Sequence, residues 1–312
     1  MTKKGYSKPS GNKKTMIKEI GNFLIHLRLH YQFFILSGGF LLGGVMTPSP
    51  DYSTFLLQFL NVHILLFGGA TAFNSYWDKD EGPIGGLKNP PKMAKWMRDA
   101  SMLMQFAGLI WAVTVGWIFS VVYLISLILF WLYSTPLARW KGNPYLSLIA
   151  IGVSTGTNSV LLGALAAGSE VNGAIFMAAI GVALVILSMY PVSQIFQTDE
   201  DRKRGDRTFA ITFGREGVIR FFFSFFMIGA VIMSLAIMKL YPVTGMLFMI
   251  LSTISWIVLW RLITKLTENK SEYRRVMFLK FITSLSYVLF LITILVLRDV
   301  LSGIQSVQIL FN

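Results

Sequence analysis

Only 15 of the 312 residues are acidic, and seven of these fall in two short stretches. The first is Asn74-Ser75-Tyr76-Trp77-Asp78-Lys79-Asp80-Glu81-Gly82, and the second runs Gln197-Thr198-Asp199-Glu200-Asp201-Arg202-Lys203-Arg204-Gly205-Asp206. Residues four apart share a helix face, which pairs Asn74 with Asp78 and Gln197 with Asp201. Two sets of oxygen donors without His or Cys suit a hard cation. Mg2+ binds in this way, through a few carboxylates completed by substrate phosphate oxygens. One such stretch alone is more simply a solvated loop neutralised by nearby Lys and Arg; two in corresponding loops favour a site. Between them lies Tyr133-Ser134-Thr135-Pro136-Leu137-Ala138-Arg139-Trp140-Lys141-Gly142-Asn143-Pro144. Arg139 and Lys141 are candidates for gripping a diphosphate, Arg through paired donors and Lys as a point charge. Taken alone, this loop is equally well explained as basic anchoring at a membrane surface, with Trp140 at the interface.

The elements that must position these residues are apolar. Hydrophobic residues make up 54% of the chain and charged residues 14%, too few to cover a soluble domain of this size. There are no cysteines, which excludes disulfides and thiolate metal sites. The net charge of +13 does not come from a nucleic-acid footprint, because the basic residues sit between apolar runs. Spanning a bilayer takes about 20 apolar residues as helix. Nine stretches qualify, near 23–46, 54–77, 99–115, 118–135, 145–167, 172–196, 218–239, 243–263 and 276–297, the third and fourth folded as a hairpin around Gly116-Trp117. With the N-terminus inside, 26 of the 28 Lys and Arg fall on cytoplasmic segments, and only Lys239 and Arg298 do not. The expected architecture is an all-α integral membrane protein of nine transmembrane helices, two four-helix units plus one helix, around a central cavity. A disordered basic cytoplasmic tail is expected over 1–21, the membrane domain over 22–298, and a short extracytoplasmic tail over 299–312.

At these three segments the chain resembles the UbiA-type intramembrane prenyltransferase superfamily. Its first motif is written NDxxDxxxD, matched here at Asn74 and Asp78, with Ser75 and Gly82 in place of two carboxylates and Asp80 and Glu81 just before the last position. Its second is DxxxD followed by a basic stretch. Gln197 replaces the first Asp, Asp201 matches the second, and Arg202 to Ala210 follows the pattern closely. The Tyr133-Ser134-x-Pro136 segment with Lys141-Gly142-Asn143-Pro144 resembles the loop after the fourth helix, although Leu137 stands where a variant of that loop has Lys.

The resemblance implies Mg2+-dependent transfer of an isoprenoid chain from an allylic prenyl diphosphate to a small acceptor, usually an aromatic quinone precursor, inside a bacterial or archaeal inner membrane. Asn74, Asp78 and Asp201 are then the leading metal-binding candidates, with Gln197, Asp80 and Asp199 behind them. Arg139, Lys141 and Arg207 are candidate donors to the leaving diphosphate, and Tyr76, Trp77 and Tyr133 candidate walls for an allylic cation. Arg28 either reaches the acceptor or snorkels to the interface; Asn158 is a candidate cavity residue, and His63 an intramembrane polar group. A secondary transporter is the competing class, but it would place its polar groups near the bilayer midplane. A membrane scaffold of the same fold, impaired by the missing carboxylates, is the third.

Overall fold

In the computed structural model the structure describes residues 11–79 and 81–311, with side chains over 16–79 and 81–298. Among the described residues there are helices and no strands. They are α1 (Gly11–His26), α2 (29–45), α3 (Tyr52–Asp78), α4 (Lys95–Ala112), α5 (Trp117–Ser134), α6 (Pro144–Ala166), α7 (Gly173–Lys203), α8 (Phe209–Met238), α9 (Pro242–Ile263) and α10 (Tyr273–Phe311). Seven stretches, α3 and α5 to α10, are long and apolar enough to cross a membrane. The other two expected spans are also helical. The first is broken at Arg28, which adopts the left-handed conformation (φ 50°), and α4 carries Lys95, Arg98 and Asp99 in its first turns. The chain is a multi-pass, all-helical membrane protein.

Helix ends are set by local chemistry. Asp51 caps α3 by accepting from the amides of Ser53 and Thr54, and Asn143 and Asn172 do the same for α6 and α7. Gly116 (φ 143°) turns the chain between α4 and α5, giving the expected hairpin. The α-helix of α7 stops at Met189, because Pro191 follows. A 3-10 stretch, Pro191–Gln197, leads into a short helix bearing the second acidic segment.

Two expectations at the chain ends are corrected. Residues 1–10 of the tail expected over 1–21 lie outside the described residues, and the chain is helical from Gly11. The reason is periodic: Met16, Ile17, Ile20 and Leu24 form an exposed apolar stripe on α1. At the other end α10 continues as helix to Phe311 instead of stopping before 299. Val300, Leu301, Ile304 and Val307 keep a helical spacing, and no proline intervenes.

The central helices pack with very little side chain between them. A Cβ on Gly43 would strike the Val160 carbonyl, and one on Gly163 would strike the Phe40 carbonyl, so α2 and α6 touch backbone to backbone. Buried polar pairs add specificity: Asn61 on α3 donates to the Gly108 carbonyl of α4 (3.0 Å), and Asn158 on α6 donates to Ser126 Oγ of α5 (2.9 Å). His63 stays within its own helix, bonded to the Phe59 carbonyl (2.7 Å) and ringed by Phe33, Phe40, Phe59 and Phe67. The outer helices differ. In α9 and α10 only 22% of the apolar window is buried, against 61% in α3 and α6, and the remainder is the apolar face that lipid covers.

Functional polarity follows from the alternation of helix direction. Arg28, Asp78, Lys141 and Asp201 lie at one end of the bundle, where Lys280 also reaches Tyr31 (3.0 Å). Arg298 lies at the other, donating to the Thr47 carbonyl (2.7 Å) and Tyr52 (3.0 Å). Close approach at Gly163 makes a clean prediction. Gly163→Ala overpacks the α2–α6 contact, costs about 1–3 kcal/mol and lowers the thermal unfolding midpoint of the purified protein. Gly173→Ala, whose Cβ would meet nothing within 4 Å, leaves that midpoint in place.

Candidate active site

A cavity of about 590 Å³ occupies the bundle at the end that carries Asp78 and Asp201. Three helices open there into wider π-type turns, Gln32–Leu36, Asn61–Gly68 and Gly152–Thr157. These turns contribute Ile35, Leu36, Phe67 and Thr155 to the wall. The deep part is apolar, with Phe130, Val182, Met233, Phe248 and Phe290. The mouth is charged.

The first acidic segment builds one side of that mouth. Asn74 donates to Asp78 Oδ2 (2.9 Å), as the four-residue spacing requires, and accepts from Ser134 Oγ at the end of α5 (3.0 Å). Lys141 forms an ion pair with Asp78 Oδ1, both side chains under 10% exposed. Burial pushes the Lys141 ammonium down to about 7, helped by the Arg204 guanidinium and opposed by Asp206 and Asp201. Ser75 is buried and accepts from Arg28 Nη2 (2.6 Å), while Arg28 Nη1 donates to the Gly85 carbonyl (2.9 Å).

The second acidic segment faces it. Arg204 bridges the two, donating to the Asp78 carbonyl (3.3 Å) and to Asp201 Oδ1 (3.1 Å). Gln197 lines the cavity and gives its amide to the Pro83 carbonyl (3.2 Å). Asp206 receives a two-pronged grip from Arg139, at 2.7 and 2.8 Å, and the Arg207 amide donates to the Gly142 carbonyl (2.9 Å). The loop after α5 and the loop after α7 are thus sewn together. Tyr133 and Tyr190 share a hydroxyl contact (3.0 Å) on the cavity wall.

Asn74, Asp78, Lys141, Asp201, Gln197, Tyr133 and Arg28 are therefore brought to one cavity. Others are not. Arg139 stands behind the wall and acts through Asp206. Asp199 is on the opposite side of its helix turn from Asp201, 63% exposed and 3.9 Å from Arg202. Arg207 is also exposed, because Gly205 (φ 75°) turns the chain before it. Asn158 is consumed by the α5 contact and does not line the cavity. Tyr76 and Trp77 pack on each other, with Arg98 over the Tyr76 ring, outside the lining. Asp80 lies outside the described residues. Sequence reasoning missed Arg204 and Asp206, whose role depends on a loop conformation. It also missed Lys280, for which there was a signal: a charge five residues past Arg275, already within the expected last span.

With this geometry in place, comparison with known proteins gives one consistent result. The UbiA prenyltransferase family model matches residues 33–285. A UbiA homologue from Archaeoglobus fulgidus bound to GPP and Mg2+ has a similar fold, with a TM-score of 0.67 and 18% identity over 88% of this chain and 99% of that one. The same homologue bound to Cd2+ gives 0.66 and 16%, over 88% and 98%. A digeranylgeranylglyceryl phosphate synthase gives 0.61 and 18%, over 89% and 99%. No curated protein matches the sequence.

The Arg139–Asp206 pair can be tested separately from any chemistry. Arg139 is partly exposed and Asp206 is buried, so removing the arginine strands a buried carboxylate and costs about 3 kcal/mol. Arg139→Ala should lower the unfolding midpoint, and Arg139→Lys, which cannot make both bonds, should recover little of it.

Proposed function

This chain belongs to the UbiA prenyltransferase family, and from that premise we propose that it transfers an isoprenoid chain from an allylic prenyl diphosphate to an aromatic quinone precursor inside the membrane. The observation that carries the reading is the cavity itself: a mouth of facing carboxylates, Lys and Arg above a body walled by Phe, Tyr, Val and Met. A prenyl diphosphate has the same division, an anionic head on an apolar tail.

The residues divide the work. Arg28, Lys141 and Arg204 donate to the diphosphate oxygens and hold the head at the mouth. Asp78 and Asp201, with Asn74 and Gln197 beside them, offer the oxygen donors that suit Mg2+, the remaining positions falling to the diphosphate. When bound, Mg2+ supplies Lewis-acid neutralisation of the charge that builds on the leaving group. The apolar walls exclude water, so an allylic cation is captured by the acceptor and not by hydroxide. The faces of Tyr31, Tyr133 and Phe130 attract positive charge. The carboxylates stand at helix ends and not at the bilayer midplane, which favours an interfacial enzyme over a transporter.

The same reading takes α2 to α10 as nine crossings with the N-terminus and the site on the cytoplasmic face. Support comes from the helix ends: Asp78, Lys141 and Asp201 gather at one, Arg298 and Thr47 at the other. The chain contains no cysteine, so single cysteines at Lys88 and Ser169 report on the two faces directly. A membrane-impermeant maleimide added outside intact cells should label Ser169→Cys and spare Lys88→Cys; the reverse pattern would invert the topology.

Activity is tested in membranes supplied with labelled prenyl diphosphates of graded length, aromatic acceptors and Mg2+. Prenylated acceptor and diphosphate release should both appear, and each should fall at least about a hundredfold in Asp78→Asn and Asp201→Asn. Transfer to glyceryl phosphates but not aromatics would change the acceptor. Flux of substrate into vesicles without any bond breaking would replace the enzyme by a transporter, and neither result with any chain length would favour the scaffold.

A further inference from the structure

α1 is seated on the protein along one side. There Glu19 accepts from the Trp96 indole N–H (2.8 Å), the Phe23 and Trp96 rings pack 5.5 Å apart, and His26 Nε2 meets the Pro91 carbonyl (2.7 Å). Phe23 and Leu27 close a small core with Ala72 of α3 and Met97 of α4. About a quarter turn away, Met16, Ile17, Ile20 and Leu24 are all exposed and fall within an arc of roughly 100° on the helix. Lys18 and Asn22 lie on the side opposite that arc, and Lys14, four residues before Lys18, shares their side. Six lysines, Lys3, Lys4, Lys8, Lys13, Lys14 and Lys18, precede the first acidic residue, Glu19.

We propose that α1 is an interfacial helix that binds an anionic phospholipid leaflet, its Met16–Leu24 stripe entering the acyl boundary and its lysines meeting the lipid phosphates. Position places it there. Arg28, two residues past the end of α1, bonds Ser75 in the last turn of α3, and Trp96 opens α4, so α1 stands where helices leave the lipid. The lipid-covered face of the bundle therefore continues into the stripe. A helix with this many charges does not enter hydrocarbon, whereas an apolar stripe with a basic opposite face suits the headgroup boundary. Charge selects the lipid, because clustered lysines beside a membrane-entering helix are drawn to anionic headgroups. Other coverings fit less well. Residues 1–10 offer few apolar side chains beyond Met1 and Tyr6, and pairing α1 with α1 of a second copy would bring like charges together.

The test places single labels on the full chain, which has no cysteine of its own. Ile17→Cys on the stripe and Asn22→Cys on the far side each carry an NBD fluorophore, in nanodiscs of phosphatidylcholine alone or with about 30% phosphatidylglycerol. Quenching is read from phosphatidylcholine spin-labelled near the headgroup. In the anionic discs the Ile17 label should be quenched about threefold more than the Asn22 label. It should also be quenched about twofold more than in phosphatidylcholine alone. Replacing Lys13, Lys14 and Lys18 together by Glu should abolish that lipid dependence. Raising NaCl to about 0.5 M on the unaltered lysines should do the same, which separates loss of charge from misfolding of the variant. Equal quenching at the two positions would overturn the proposal, and so would an Ile17 signal indifferent to phosphatidylglycerol. An Ile17 label shielded from aqueous iodide yet untouched by the lipid quencher would assign the stripe to a second copy and overturn it as well.

Discussion

A carboxylate at the carboxyl end of an apolar helix is opposed twice, by the helix dipole and by the loss of water. Asp78 sits in such a place at the end of α3, and Asp201, in the first turn of the short helix that re-forms after Gln197, shares the loss of water; the architecture around them is the set of cations that makes this tolerable. Lys141 comes from the loop after α5, and Arg204 from the turn that follows Asp201 itself. Because these cations belong to different loops, each pair also fixes one loop against another. Helix packing brings the loops near, and charge pairing sets their final registry. The site is thus both the functional centre and the clasp of this end of the bundle.

The tight helix contacts serve that clasp. Backbone-to-backbone packing of α2 on α6 leaves little room for slip, so Arg28 at the start of α2 is held at a fixed height relative to the loop after α5. The wider turns within α2, α3 and α6 do the opposite job, opening the bundle where the cavity needs volume. Rigid contacts near one end and relaxed turns around the cavity let one set of helices both hold a charged mouth and enclose an apolar chamber.

Much of this was legible in the amino-acid order, because lipid makes apolar runs helical and basic residues mark their ends. The pairing of Asn74 with Asp78 follows from helix spacing alone. Arg139 and Lys141 were recognisable as cations near a site, but their division of labour was not: one grips Asp206 behind the wall and the other enters the cavity. That difference depends on how the chain turns at Arg139. Asp199 and Asp201 lie two residues apart, and because Pro191 ends the α-helix the re-formed turn sends one to solvent and the other inward. Asn158 looked like a cavity residue because it is polar within an apolar run, and what it answers is the need of one helix to bond another.

Arg28, Lys79 and Arg139 are the non-glycine residues with positive φ among those described, at 50°, 50° and 41°. Each is basic, and each stands where a chain enters or leaves the charged mouth. Left-handed backbone favours glycine or asparagine, whereas Arg28 must reach into the mouth and Arg139 must grip Asp206 behind its wall, each as a cation. The two demands have almost no common solution, so these codons sit on narrow ground. Drift toward glycine would relax the backbone and silence the contact, and drift toward a branched residue would lose both. Descendants of this sequence that keep a working mouth should therefore vary freely on the lipid face of α9 and α10 and scarcely at all at these two arginines.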